Sequence, residues 1–191
     1  MNAAANATAL PGPVVPAAVD VEHLAAIRSS VEAFQRDAVA RWVRSGHVVL
    51  DVAPQTHAGV RALLPPGAVL ETLDIDPTAD ATYTADLCQT NPHVASGRFD
   101  AVFCTEVLEH TLQPFDAVAE LRRILRPGGR LILTVPFNFR VHGPLPDCWR
   151  FTEHGLRALL RDFDEVAIDS LPTPGRPLMP IHHRVSARRP R

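Results

Sequence analysis

The sequence has no G-x-G-x-x-G turn after any of its apolar runs. A dinucleotide pyrophosphate needs the close backbone approach that those glycines permit, which argues against a nicotinamide enzyme. Cysteine is scarce. Cys88, Cys104 and Cys148 are odd in number and far apart, with neither disulfide-framework nor zinc spacing, a pattern that favours a reducing cytosol. No apolar run approaches the length that spans a bilayer, and the start lacks the basic residues and apolar centre of a secretory signal. A net charge of −2 lacks the basic excess that attracts nucleic acid or an anionic membrane. The arginines at 184, 188, 189 and 191 read as a solvated tail. The expectation is a cytoplasmic chain, monomer or homodimer, with a small-molecule substrate, no nucleic acid and no membrane.

What is present fits one domain: 191 residues, 46% apolar and 21% charged. Residues 1–20, with Pro11, Pro13 and Pro16 and no periodicity, are expected to be a disordered leader, and 21–191 a single domain. From Val21, the residues Leu24, Ile27, Val31, Phe34, Ala38 and Trp42 recur at steps of three and four, which predicts an amphipathic helix over 21–46. It would cover one face or edge of a sheet; a cap over a ligand crevice is the alternative.

Val48-Val49-Leu50-Asp51-Val52 and Leu70-Glu71-Thr72-Leu73-Asp74 are short apolar runs that each reach an acid. With the helix-capable Ala58–Leu64 between them, they read as a βαβ unit. Further strands are expected at 81–85, 99–104, 130–135, 163–171 and 181–187. Thr105–His110 would turn into a helix. A further helix from Pro114 would carry Phe115, Val118, Leu121, Ile124 and Leu125 on one face and stop at Pro127-Gly128-Gly129. A last helix would start at a Thr152 cap. This alternation implies an α/β doubly wound, Rossmann-like three-layer sandwich on a mostly parallel seven-stranded sheet. The last two strands have no helix between them and should form an antiparallel edge pair. Residues 47–135 would form the cofactor-binding half, 136–152 a substrate loop, and 153–191 the last helix and edge strands.

Five stretches in this order resemble the class I S-adenosylmethionine-dependent methyltransferases: Val49-Leu50-Asp51-Val52, Leu73-Asp74-Ile75-Asp76, Ala85-Asp86-Leu87, Phe99-Asp100-Ala101-Val102 with Glu106-Val107-Leu108-Glu109-His110, and Leu125-Arg126-Pro127-Gly128-Gly129. The resemblance covers residues 45–160 and implies S-adenosyl-L-methionine as cofactor. It places Asp74, with Ile75 beside it, on the ribose hydroxyls, and Asp86 and Leu87 at the adenine. Asp51, Thr105 and Glu106 would line the same site, although turn or cap duty serves Asp51 and Asp86 equally well. One departure stands out: Ala53, Gln55 and His57 occupy positions where the family carries glycines, and only Gly59 follows. Gln55, Thr56 and His57 would then offer side-chain donors to the cofactor carboxylate.

The loop 136–152 is too long for a minimal connection and rich in aromatics. Phe137, Phe139 and Trp149 would form a wall for an acceptor, with packing as the plainer role for Trp149. Arg140 and Arg150 suit an anionic group or a pairing with Asp147. His142 and Asp147 are the candidate catalytic bases, with Glu106 and His110 behind them, His110 reading as a structural histidine. His182-His183 would point to opposite faces of a strand. His142, Asp147, Cys148 and His154 contain no close-spaced ligand pair, so no metal requirement is expected. The sequence therefore reads as a methyltransferase acting on an oxygen or nitrogen of a small molecule or glycan-type precursor. The alternative is a non-catalytic relative of the same fold that has lost its glycine turn.

Overall fold

The computed structural model describes residues 15–54 and 59–191. Residues 1–14 of the expected leader lie outside the described residues. So do Gln55, Thr56 and His57. Helix α1 runs Ala18–Trp42 and is followed by strands β1 (Val48–Val52), β2 (Val69–Asp74), β3 (Tyr83–Thr84) and β4 (Phe99–Thr105). Helix α2 (Pro114–Ile124), strand β5 (Leu125–Pro136), helix α3 (Glu153–Leu159) and strands β6 (Asp164–Leu171) and β7 (His182–Arg188) complete the chain.

The seven strands form one sheet in the order β3-β2-β1-β4-β5-β7-β6. β1 to β5 are parallel, while β7 inserts antiparallel between β5 and β6. The expected fold class and the antiparallel edge pair are as observed. Because side chains alternate along a strand, the sheet feeds two cores. Leu50, Val52, Val102, Cys104, Leu131 and Leu133 face α2 and α3, whose Val118, Leu121, Ile124 and Leu156 join that core. Val49, Ala101, Phe103 and Ile132 face α1, through Ala38 and Val39.

Several local expectations need correction. The helix expected over 58–64 is only a 3-10 turn at Arg61–Leu63, because Leu64 precedes Pro65 and adopts the extended conformation proline imposes on its neighbour. The third strand shrinks to two residues. Helix α2 ends at Ile124, before the Pro-Gly-Gly stop. Arg126 precedes Pro127, and the chain is already extended at Leu125, which pairs with Phe99. Between the Phe99–Leu125 and Ala101–Arg130 pairs the register shifts, so Pro127–Gly129 forms a bulge at the start of β5. Phe115 is 56% exposed. The buried stripe of α2 is Pro114, Ala117, Val118, Leu121 and Ile124, and Phe115 stands one step off it.

α1 does more than cover the sheet. Gln35 Nε2 donates to Thr105 Oγ1 at 3.3 Å, and His23 Nδ1 lies 2.9 Å from the Asn138 carbonyl oxygen. The helix thus touches both the tip of β4 and the loop after β5, where a ligand would enter. No helix among the described residues is long and apolar enough to cross a membrane.

Candidate functional site

In an open parallel sheet, ligands bind beyond the carboxyl ends of the strands, where the strand order reverses. Here β1 and β4 are the neighbours at that reversal. A cavity of about 540 Å³ opens there, lined by Ala53, Asp74, Ile75, Asp86, Leu87 and His110 among others.

Asp74 closes β2 at the cavity wall, and its Oδ1 accepts the Asp76 N–H at 2.9 Å. Ile75 follows it, 63% exposed. On the next connection, Asp86 Oδ1 accepts the Cys88 N–H at 2.8 Å, and its Oδ2 accepts from Gln89 Nε2 at 3.2 Å. Asp86 therefore shapes its own turn while lining the cavity. Val107, Thr111, Leu112, Gln113 and Pro146 also line the cavity, none of them assigned a role from sequence.

Asp51 has a different place. It is 2% exposed and its Oδ2 accepts the Val60 N–H at 3.0 Å, which ties the end of β1 to the turn beyond it. Burial pushes its carboxyl up to about 6, against the pull of that N–H and of Arg61. Gly59 is the glycine this turn requires: it holds φ +53, and a Cβ on it would lie 2.0 Å from Asp51 Oδ2. Ala53 stands at a family glycine position and adopts the glycine-like φ of +48, with its N–H donated to Leu73 O at 2.7 Å.

A second cluster sits beside the cavity. Glu106 leaves β4 at φ +54, followed by a 3-10 turn at Leu108–His110 in place of the expected helix. The turn carries Glu109 into the interior, where it is fully buried and neither carboxylate oxygen has a hydrogen-bond partner among the described residues. Its own backbone carbonyl accepts from the N–H groups of Cys148 and Trp149 at 2.7 and 3.2 Å, which clamps the substrate loop over it. Burial, with the charge of Glu106 adding to it, raises the Glu109 carboxyl well above the usual range.

His110 Nε2 lies 3.7 Å from Glu109 Oε1, and His142 Nε2 lies 3.8 Å from the same oxygen. The two imidazoles meet edge to face, 5.0 Å between centroids. His110 Nδ1 is 3.0 Å from the Pro146 carbonyl oxygen, and His142 Nδ1 is 3.0 Å from Asp147 Oδ2. Burial lowers the His142 pKa, with Asp147 opposing, which keeps the ring neutral near pH 7. For Asp147 burial acts upward, but the Arg150 guanidinium outweighs it and holds the carboxyl below the usual range. Arg150 pairs with both Asp147 oxygens, at 2.5 and 2.7 Å, and also donates to the carbonyls of Phe139 and Arg140. Of its two expected roles, it takes the pairing.

The remaining loop residues sit around this cluster. Phe139 meets His142 edge to face at 5.2 Å, and Phe137 meets His183 at 5.7 Å. Trp149 Nε1 donates to Thr111 O at 2.7 Å and its ring stacks on Phe151. The Arg140 carbonyl is held by Arg150. Cys148 is exposed, and the grouping at metal-ligand separation is Glu109, His110 and His142 rather than one including Cys148 and His154.

A family model described as a methyltransferase domain matches residues 38–133, half of the chain. The chain belongs to the methyltransferase domain family. Its strand order and cavity position are those of the class I, S-adenosylmethionine-dependent methyltransferase fold. Solved methyltransferases share it at low identity. A Burkholderia thailandensis 1,6-didemethyltoxoflavin-N1-methyltransferase, with 1,6-didemethyltoxoflavin and S-adenosylhomocysteine bound, is 22% identical at a TM-score of 0.58, covering 94% of each chain. The N-methyltransferase NodS of Bradyrhizobium japonicum is 17% identical at 0.62, covering 86% of this chain and 96% of that one. A Haemonchus contortus phosphoethanolamine N-methyltransferase in complex with S-adenosyl-L-methionine is 13% identical at 0.61, covering 82% and 52%. Among curated proteins, an uncharacterized 37.1 kDa protein in a Streptomyces fradiae transposon is 48% identical over 40 residues, a match spanning 21% of this chain and only 12% of that relative.

Proposed function

We propose that this domain transfers a methyl group from S-adenosylmethionine to an oxygen or nitrogen of a small-molecule or glycan-type acceptor. The observation that carries the reading is the shared position of His110, which lines the 540 Å³ cavity and also belongs to the Glu109–His142 cluster. A cofactor site and a group able to activate an acceptor are thereby adjacent.

The donor set fits the cofactor. Asp74, at the tip of β2, would accept from the ribose hydroxyls, and Ile75, Leu87 and Leu112 would enclose the adenine beside Asp86. Ala53, at φ +48, lines the cavity at the end of β1 with the smallest of side chains. Gln55 and His57 remain candidate donors to the cofactor carboxylate, and Thr105 and Glu106 candidate contacts at the β4 tip. Bound S-adenosylmethionine supplies an electrophilic methyl group. The chain's own contribution is to position an acceptor and activate it. His142, neutral and backed by Asp147, is the group proposed to do so, with Phe137, Phe139, Arg140 and Trp149 as the acceptor's surroundings. Three free cysteines fit a reducing, cytoplasmic setting.

Calorimetry with S-adenosylhomocysteine tests the reading. Micromolar binding that Asp74→Ala weakens at least about tenfold is the expected outcome. A folded chain that gives no heat would leave the non-catalytic alternative standing.

A further inference from the structure

The geometry points to a divalent metal site formed by Glu109, His110 and His142, which takes a borderline cation such as Zn²⁺ or Co²⁺. The acceptor role drawn from it below rests on the methyltransferase reading; the metal site itself does not. The sequence alone gave no reason to expect it, because the three residues lie on two separate loops.

The first observation is Glu109. A carboxylate removed from water without a partner costs several kcal/mol, and it needs either a proton or a cation. Both Glu109 oxygens are buried and unpartnered among the described residues. The second is the pair of imidazole nitrogens facing one of them, at 3.7 and 3.8 Å. An ion about 2.1 Å from two tetrahedral ligands sets them about 3.4 Å apart, so each imidazole nitrogen need close on the carboxylate oxygen by only a few tenths of an ångström. All three ligand atoms already lie within 4.8 Å of one another.

The third observation is what holds the histidines. A metal-ligating imidazole commonly gives its other N–H to a carbonyl or carboxylate, which fixes the tautomer and raises the basicity of the ligating nitrogen. His110 Nδ1 is held by the Pro146 carbonyl at 3.0 Å, whereas His142 Nδ1 lies 3.0 Å from Asp147 Oδ2 without a hydrogen bond to it, its loop held instead by the backbone N–H donated to that carboxylate. Each ring turns its Nε2 toward Glu109. Asp147 is anchored by Arg150 at both oxygens. Two nitrogens and one oxygen suit a late first-row ion better than magnesium or calcium.

Three protein ligands leave a position open on the ion. With His142 Nε2 on the metal, activation passes from the imidazole to the ion. An acceptor hydroxyl bound in the open position releases its proton to solvent and is held as an alkoxide beside the cofactor cavity. The substrate class is then an oxygen acceptor, such as a phenol or a diol.

Titration of the purified, chelator-treated full chain with Co²⁺ tests this. One ion per chain is expected, with the visible bands of a four- or five-coordinate site. Two exchangeable, paramagnetically shifted N–H resonances should appear, from His110 and His142. Glu109→Gln and His142→Ala should each remove the bands while retaining S-adenosylhomocysteine binding. No Co²⁺ uptake by folded wild-type chain at neutral pH, binding with no shifted imidazole protons, or bands unchanged in both folded variants would each overturn the proposal. Where a variant does not fold, the wild-type resonances decide. Retained S-adenosylhomocysteine binding without Co²⁺ uptake would refute the metal site and leave the methyltransferase reading intact.

Discussion

Asp147 holds His142 twice: its Oδ2 accepts the His142 backbone N–H at 2.9 Å and lies 3.0 Å from the ring Nδ1. The carboxylate thus fixes the loop backbone at His142 and sets its negative charge beside the ring. Arg150 sustains this arrangement by occupying both Asp147 oxygens and two loop carbonyls.

Removing that guanidinium should therefore cost more than a surface ion pair. Arg150→Ala leaves Asp147 buried without its cation, and breaking a buried pair from one side costs about 3–5 kcal/mol. Arg150→Lys keeps the charge but loses the bidentate fork, so its loss should be smaller. Urea unfolding of the two variants measures the difference.

Asp51 sets a pH dependence. Its folded carboxyl titrates at about 6 against an ordinary 3.8, so between those values the folded chain holds a proton that the unfolded chain has lost. Its contribution is fully present below about 4 and declines as pH rises through about 6, by up to about 3 kcal/mol. Asp51→Asn retains an acceptor for the Val60 N–H and lacks the titration. The stability difference between wild type and variant should move in the variant's favour as pH rises from about 4 to about 7, and a constant difference would refute the assignment.

Ala53 bears a backbone conformation suited to glycine. Ala53→Gly relieves about 1–2 kcal/mol of left-handed strain, and part of that returns as unfolded-chain entropy. A gain of up to about 1 kcal/mol in denaturant unfolding is expected, with S-adenosylhomocysteine binding no weaker than in wild type.

Asp74 carries the cofactor contact in the proposed reading. Losing two hydrogen bonds from ribose hydroxyls to a carboxylate should weaken S-adenosylhomocysteine at least about tenfold in Asp74→Ala. Asp76→Ala, which removes the carboxylate that caps Thr78, should leave the affinity unchanged. Titration of both variants by calorimetry separates the two acids.

Much of the sheet was legible because a buried parallel strand announces itself locally. Val48–Val52 and Phe99–Thr105 are apolar runs that could not face water on either side. The edge pair was legible from the missing helix between its strands. Less legible were features set by neighbours in space. Phe115 looks like part of a stripe until the face of α2 is placed against the sheet. Pro-Gly-Gly looks like a helix stop until Leu125 is seen pairing with Phe99.

Glu109 is the instructive omission. In sequence it stands within Glu106-Val107-Leu108-Glu109-His110, a family-like stretch in which no role fell to it. Its signal was faint: a carboxylate three residues after Glu106 and next to His110. The substrate loop decides its environment by donating the Cys148 and Trp149 N–H groups to its carbonyl and closing above it.

The sequence by itself determined the class of fold and the acids that end β2 and precede β4, because continuous apolar runs and strand-to-loop breaks are properties of neighbouring residues. The convergence of Glu109, His110 and His142 was decided only by the tertiary structure. The residues belong to loops after two different strands, and packing of the β5 loop against the β4 turn supplies the contact that no local pattern encodes.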